Sequence, residues 1–298
     1  MIAASTHSKA LSSLENRPSG RSRSRLRIAQ IRTAAKLLLL LDRVDLGRVR
    51  LSQVVRAVVP PAVLRASLGY RWVFGSLAEA HSAAKRVRLD GHDHPDNVRK
   101  HVALATQARP SDYPVLFHLA NIIGECRSVL DLGGNVGNLF YNYSRYLDFP
   151  ADLLWTVCDV PEVTTMGSAI AAERGETRLR FDGSFEDMNG ADLLLASGCI
   201  HYFEQPLAEM IAGARIKPTH VIVNRTPLIS GKSTVTVQDA GSYLVACKLF
   251  NKDELVAGMV GLGYEIVDTW EIPELSLRIP SHPELSVTAY SGFYFKRT

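Results

Sequence analysis

The chain predicts an α/β fold: a mostly parallel sheet with helices on both faces, an antiparallel last strand and a helical N-terminal region. Three observations predict it. Beyond residue 113, short apolar runs of strand length alternate with stretches of helical periodicity, the pattern of parallel strands buried on both faces. One of those runs, SVLDLGGNVGNLF (128–140), ends in a carboxylate, turns on glycines and enters a helix. The last apolar run, Val287–Phe295, has no helix before it, so it can return antiparallel beside its neighbour.

Taken in order, residues 1–26 are rich in Ser and Arg and poor in apolar side chains, which predicts a poorly ordered basic leader. Residues 27–112 read as the helical N-terminal region. Ile28, Ile31, Ala35, Leu38 and Leu39, then Val44, Leu46 and Val49, recur near helical spacing with Arg between them, until Pro60-Pro61 stops the segment. Further helices are expected over 76–89 and 96–106, separated by the polar turn DGHDHPDN (90–97). His92 and His94 lie among acidic residues there, but their spacing suits neither one helix face nor a zinc pattern, so no metal is expected.

The body, residues 113–298, begins with a helix from Tyr113 to Gly124. Strand-like runs follow at Ser128–Leu132, Leu153–Asp159, Arg178–Phe181, Ala191–Ala196 and His220–Asn224. Asn251 with Glu254 forms a capping-box start for a helix over 252–262, ended by Gly261 and Gly263. A strand over Tyr264–Trp270, a Pro-rich stretch and the final strand complete the chain.

Charge divides the molecule in the same way. Through residue 110 there are 20 Lys+Arg against 7 Asp+Glu; the remainder has 14 against 23. A basic arm can meet nucleic acid, anionic lipid or acidic glycans. Evenly spread Arg without aromatic interleaving argues against nucleic acid, whereas basic amphipathic helices can lie on an anionic membrane. The apolar run Leu37–Leu41 is far too short to span a bilayer and sits too deep for a secretory signal. Cys126, Cys158, Cys199 and Cys247 are scattered without a CxxC pair. The expected setting is therefore cytoplasmic, with peripheral contact at the inner membrane as an accessory.

The chemistry concentrates at strand ends. In the glycine turn, a dinucleotide fold would want G-x-G-x-x-G, but Leu132 stands where the first glycine should be, leaving Gly134 and Gly137. A methyltransferase turn instead wants an acidic residue at the strand end, because its cofactor carries an ammonium and a sulfonium; Asp131 is that residue. Asp159, in WTVCDVPEV (155–163), ends the next strand, where a carboxylate accepts ribose hydroxyls. A helix cap before Pro161 is the other use of such an Asp. In ADLLLASGCIHYFEQP (191–206) the strand ends at Ser197-Gly198, and Ile200, His201 and Tyr202 follow it.

Together LDLGGNVG (130–137), CDVPEV (158–163) and LLLASGCIHYFEQP (193–206) resemble a class I, Rossmann-like, S-adenosylmethionine-dependent methyltransferase. More narrowly, the chain is similar to a methyltransferase family commonly associated with bacterial cell-surface polysaccharide gene clusters. GSLAEA (75–80), VTVQ (235–238), KLFNK (248–252) and GFYFK (292–296) extend that match over about residues 70–298. The resemblance implies S-adenosyl-L-methionine as cofactor, held by Asp131, Gly133, Gly134, Asn135, Gly137, Asp159, Asp182, Ser197 and Gly198. Asp182 stands where an adenine amino group or a plain surface turn would use it. Asn135 departs from the commonest form of the turn but tolerates left-handed geometry.

The implied reaction is methyl transfer to an oxygen of a small-molecule or glycan-linked acceptor. His201 occupies a position resembling the catalytic histidine of some small-molecule O-methyltransferases. Packing over the cofactor or capping the next turn is its other use. Tyr202, Arg225 and Gln238 are candidates for the acceptor side; Arg225 can also serve by pairing with a nearby carboxylate. Two other readings stand beside this one: an NAD-dependent oxidoreductase, which Leu132 disfavours, and a non-catalytic adaptor docking through its basic leader.

Overall fold

The computed structural model describes residues 69–87, 108–181, 184–239, 244–279 and 282–298. The leader, the amphipathic segment 28–59, the turn 90–97, the helix expected over 96–106 and Asp182 lie outside these residues. Residues 69–298 form one compact unit. A strand, β1 (Gly69–Phe74), therefore stands inside the stretch 27–112 expected to be helical, and the body begins at Gly69 rather than Tyr113. The reason is composition: GYRWVF is aromatic and β-branched, and it finds a partner strand more than 160 residues later in the chain.

The elements after β1 are α1 (Leu77–Val87), α2 (Tyr113–Ile122), β2 (Ser128–Leu132), α3 (Asn138–Tyr143), β3 (Leu154–Cys158), α4 (Pro161–Arg174), β4 (Leu179–Arg180), β5 (Leu193–Ser197), α5 (Leu207–Ala212) and β6 (His220–Thr226). There follow β7 (Leu228–Ile229), β8 (Thr234–Asp239), β9 (Leu244–Asn251), α6 (Lys252–Gly261), β10 (Tyr264–Ile272) and β11 (Tyr290–Arg297).

Seven strands make the main sheet in the order β10-β11-β6-β5-β2-β3-β4. From β4 to β6 the pairing is parallel, while β11 runs antiparallel to both β6 and β10, as the missing helix before it predicted. The chain winds outward from β2 toward β4, then returns to β5 on the other side. That reversal puts the topological switch point between β2 and β5, and ligands in open α/β sheets bind outside the strand ends there.

Alternate residues of each inner strand serve opposite faces. Val129, Leu193, Leu195 and Ile222 pack with α2 and α3 through Leu119, Phe140 and Tyr143. Leu130, Leu132, Leu194, Ala196, Val221 and Val223 pack with α5 and α6 through Ile211 and Met259. Each Val, Leu, Ile, Phe or Met among them, when fully buried, contributes roughly 1.5–3 kcal/mol. The α6 start forms as expected, with Asn251 Oδ1 accepting from Glu254 N at 2.8 Å. The reciprocal half of the capping box is relayed: Ser233 Oγ accepts from Asn251 N at 2.9 Å and donates to Glu254 Oε2 at 2.9 Å.

A second sheet, β1-β8-β9-β7, was not read from the sequence. One face carries α1, with Leu77, Ala80 and Ala84 against Val235, Val237 and Ala246. The other packs Tyr70, Val245, Cys247 and Leu249 against Leu277, Ile279 and Tyr290, with Tyr202 at its margin.

Candidate cofactor and acceptor site

The glycine turn lies at the switch point. Gly133 has φ +66° and Asn135 φ +60°, the left-handed region that glycine and asparagine tolerate. Close approach requires glycine as well: a Cβ on Gly134 would lie 2.4 Å from Asp131 Cγ, and one on Gly133 would lie 2.4 Å from Cys199 Cβ. Gly133 N donates to Cys158 O at 2.8 Å, fastening the turn to the end of β3. Gly137, at φ +82°, stands as the N-cap of α3, which runs only six residues.

Asp131 is completely buried. Trp155 Nε1 donates to its Oδ2 at 3.0 Å, while Oδ1 has no hydrogen-bond partner among the described residues. Burial pushes its pKa up to about 7; the Trp155 bond pulls the other way and the Asp159 charge adds to the rise. A carboxylate buried with one oxygen unmet is costly on its own, and a cation at that oxygen would relieve it.

Asp159 is held by two backbone amides. Its Oδ1 accepts from Val160 N at 2.8 Å at the start of α4, and its Oδ2 accepts from Asn135 N at 2.9 Å across the turn. Burial raises its pKa against the pull of those two amides. Each oxygen retains a lone pair for a further donor such as a ribose hydroxyl.

On the β5 side, Gly198 N donates to Asn224 O at 2.9 Å, and Ser197 Oγ accepts from Asn224 Nδ2 at 3.3 Å. Arg225, at φ +52°, is engaged: Nε donates to Ser111 Oγ at 2.8 Å and Nη2 pairs with Asp112 Oδ1. Of the two uses expected for Arg225, the pairing with a carboxylate is the one formed. Asp112 also accepts from Tyr143 Oη at 2.8 Å, so Ser111, Asp112, Tyr143 and Asn224 build a buried polar wall beside the crevice. Sequence reasoning missed all four, since residues 111 and 112 meet 224 and 225 only through the fold.

His201 is buried in a 3-10 turn, Ile200–Tyr202, directly after β5. Its ring centroid lies 4.1 Å from that of Tyr202. Tyr202 Oη donates to Gln238 Oε1 at 2.8 Å, so two residues proposed for the acceptor side meet. Tyr70, opposite Gln238 in the register of β1 and β8, is hydrogen bonded to Tyr290 through the hydroxyls at 2.8 Å. A cleft of about 660 Å³ opens nearby, lined by Glu204, Lys232, Lys248, Thr234 and Leu285 among others; none of the candidate cofactor residues lines it.

Neither a family model nor a curated protein matches the sequence. Among solved structures, the chain is similar to 1,6-didemethyltoxoflavin-N1-methyltransferase of Burkholderia thailandensis, with 18% identity over 76% of this chain and 92% of that one and a TM-score of 0.47. That protein was crystallised with 1,6-didemethyltoxoflavin and S-adenosylhomocysteine. It is also similar to an S-adenosylmethionine-dependent methyltransferase from Mesorhizobium loti, with 14% identity over 63% and 98% and a TM-score of 0.42. A third, from Aquifex aeolicus, shows 12% identity over 67% and 98% and a TM-score of 0.43.

Proposed function

We propose that this protein is an S-adenosylmethionine-dependent methyltransferase acting on an oxygen of a small-molecule or glycan-linked acceptor. The observation that carries the reading is Asp131: a buried carboxylate oxygen with no partner, against a turn that tolerates no Cβ at Gly134. An anion-binding dinucleotide turn has no use for such a group, whereas a ligand ammonium satisfies it. The same turn lacks the first glycine of the dinucleotide pattern, since buried Leu132 stands there.

On this reading Asp131 receives the ammonium and Asp159 accepts from the ribose hydroxyls. Gly133, Gly134, Asn135 and Gly137 let the backbone approach, with Ser197 and Gly198 on the β5 side and Asp182 toward the base. The bound cofactor supplies a sulfonium-borne methyl group. His201 takes the proton of the acceptor hydroxyl, and the surrounding wall holds the acceptor oxygen in line, which can supply much of the acceleration. Tyr202 and Gln238 orient the acceptor. Arg225 acts there through the Ser111–Asp112 wall that it holds.

The basic leader docks the enzyme at the inner face of a membrane in the cytoplasm, in surface-polysaccharide biosynthesis. Among the described residues no helix is long and apolar enough to cross a membrane. Titrating the full chain separately with S-adenosylhomocysteine and NAD tests the cofactor assignment: heat with the first alone is expected, and heat with NAD alone overturns it.

A further inference from the structure

The cleft on the second sheet has about 660 Å³, within the range of ligand pockets, roughly 300–1,000 Å³. None of the residues given above to cofactor or acceptor lines it. Phe74, Leu77 and Leu285 supply apolar wall. Around them stand two ammonium groups, Lys232 and Lys248, and two carboxylates, Glu204 and Glu284. Much of their bonding capacity is open. Lys248 Nζ donates to the Glu204 carbonyl at 2.6 Å, and Glu284 Oε1 meets His282 Nδ1 at 3.1 Å. The Lys232 ammonium, the Glu204 carboxylate and the Thr234 hydroxyl, which also lines the cleft, bond to nothing among the described residues.

This lining selects by exclusion. An anion drawn to the two lysines meets the two carboxylates as well, and the formal charges cancel. A hydrocarbon chain would strip water from four charged groups and return no hydrogen bonds. An extended peptide finds no open ladder, because β8 and β9, which supply Thr234 and Lys248, both lie inside their sheet. A neutral saccharide suits every group. Each hydroxyl can donate to a carboxylate and accept from an ammonium, while the apolar ring faces rest on Phe74 and the two leucines.

The cleft also adjoins the acceptor side. Glu204 follows Tyr202 by two residues, and Leu285 packs on the same apolar cluster as Tyr202. Thr234 and Gln238 share one face of β8; four residues at about 3.3 Å each separate them by about 13 Å. We propose that the cleft is a remote acceptor subsite, holding the distal rings of a neutral oligosaccharide while a hydroxyl of its proximal ring lies at His201. A single ring is too short to span both places. The inference rests on the methyl-transfer reading above and narrows its acceptor.

The test probes a printed array of neutral and acidic glycans, of one ring and of several, with the full chain. Three forms are compared: wild type, the double variant Glu204→Gln with Thr234→Val, and Gly231→Phe. Gly231 lines the cleft, and a Cβ there meets nothing within 4 Å and needs no left-handed backbone, so a ring at that position fills space without straining the fold. Wild type should retain neutral glycans of several rings, and both variants should bind them at least about 10-fold more weakly. S-adenosylhomocysteine affinity, read by calorimetry, should stay unchanged. On a glycan so found, the variants should show a raised KM and an unaltered kcat. A preference for acidic glycans overturns the proposal, as does a wild type that retains none, or variants that match it. Loss of S-adenosylhomocysteine together with the glycan in both variants marks a merely structural effect and overturns it too. A wild type that holds neutral glycans through this cleft but binds no S-adenosylhomocysteine leaves the subsite standing and sinks the cofactor assignment instead.

Discussion

Replacing Asp131 by Asn should make the protein more stable at alkaline pH while removing its affinity for the cofactor. The carboxyl titrates at about 7 in the folded state against 3.8 for the free group, and burial is the largest cause. Between those values the native state holds a proton that the unfolded chain has lost, so stability falls as pH rises from about 4 to 7. A difference of roughly 3 units at about 1.4 kcal/mol each puts the penalty near 4 kcal/mol above pH 7, as a ceiling. Asn is nearly isosteric and its oxygen can keep the bond from Trp155 Nε1. It carries no charge to desolvate, although its amide group then needs a partner, at a cost of about 1–3 kcal/mol.

The assay is thermal unfolding of both proteins at pH 5 and pH 8.5, with and without S-adenosylhomocysteine. At pH 5 the wild-type carboxyl is neutral, so the variant should match wild type or fall slightly below it. At pH 8.5 the variant should gain relative to that baseline, by about 2–4 °C for each kcal/mol in a unit of this size. Ligand should stabilise wild type and leave the variant unmoved, and wild-type affinity should rise between pH 5.5 and 8 as Asp131 ionises. A variant destabilised equally at both pH values, or stabilised by ligand as much as wild type, would refute the reasoning.

Asp159→Ala should weaken S-adenosylhomocysteine binding by about 1–3 kcal/mol, because a bonded, half-buried group is lost and the Asn135 and Val160 amides are left unmet; calorimetry giving wild-type affinity would misplace the ribose. His201→Gln should slow turnover by about 10²–10⁴-fold with cofactor affinity held, measured on whichever acceptor emerges from a screen of nucleotide sugars and glycans; a full-speed variant removes the base. Asp112→Ala should cost about 3–5 kcal/mol in urea unfolding, because Arg225, whose side chain is 11% exposed, keeps its charge and loses its carboxylate; a loss below 1 kcal/mol would show the wall to be dispensable.

The main sheet was legible because its inner strands are buried on both faces and so read as apolar runs. SVLDL became β2 without adjustment. Asp131, Asp159 and the turn between them were legible because their positions follow from local order along one β-α-β unit. The second sheet was not. TVTVQD alternates as a strand should, yet LVACKLFN is buried on both sides and has no strict period, and β1 pairs with β8 across 160 or more positions. Trp155 and Tyr143 escaped for a related reason: each acquires its meaning from a carboxylate that the fold brings up from elsewhere. Arg225 shows the limit best, since either a ligand or a neighbour would have justified it, and only the position of Asp112 distinguishes them.

Strand β6 ends at Thr226 and β7 begins at Leu228 in the other sheet, so a single residue, Pro227, carries the chain between the two. Ring closure fixes the φ of that residue. Asn224 and Arg225, which hold the crevice wall, sit two or three positions from it. The two sheets are therefore geared rather than loosely tethered: a shift of the second sheet around an incoming molecule must turn the end of β6. Lengthening this link by even one glycine would let each sheet settle on its own, and would separate recognition on one side from alignment on the other.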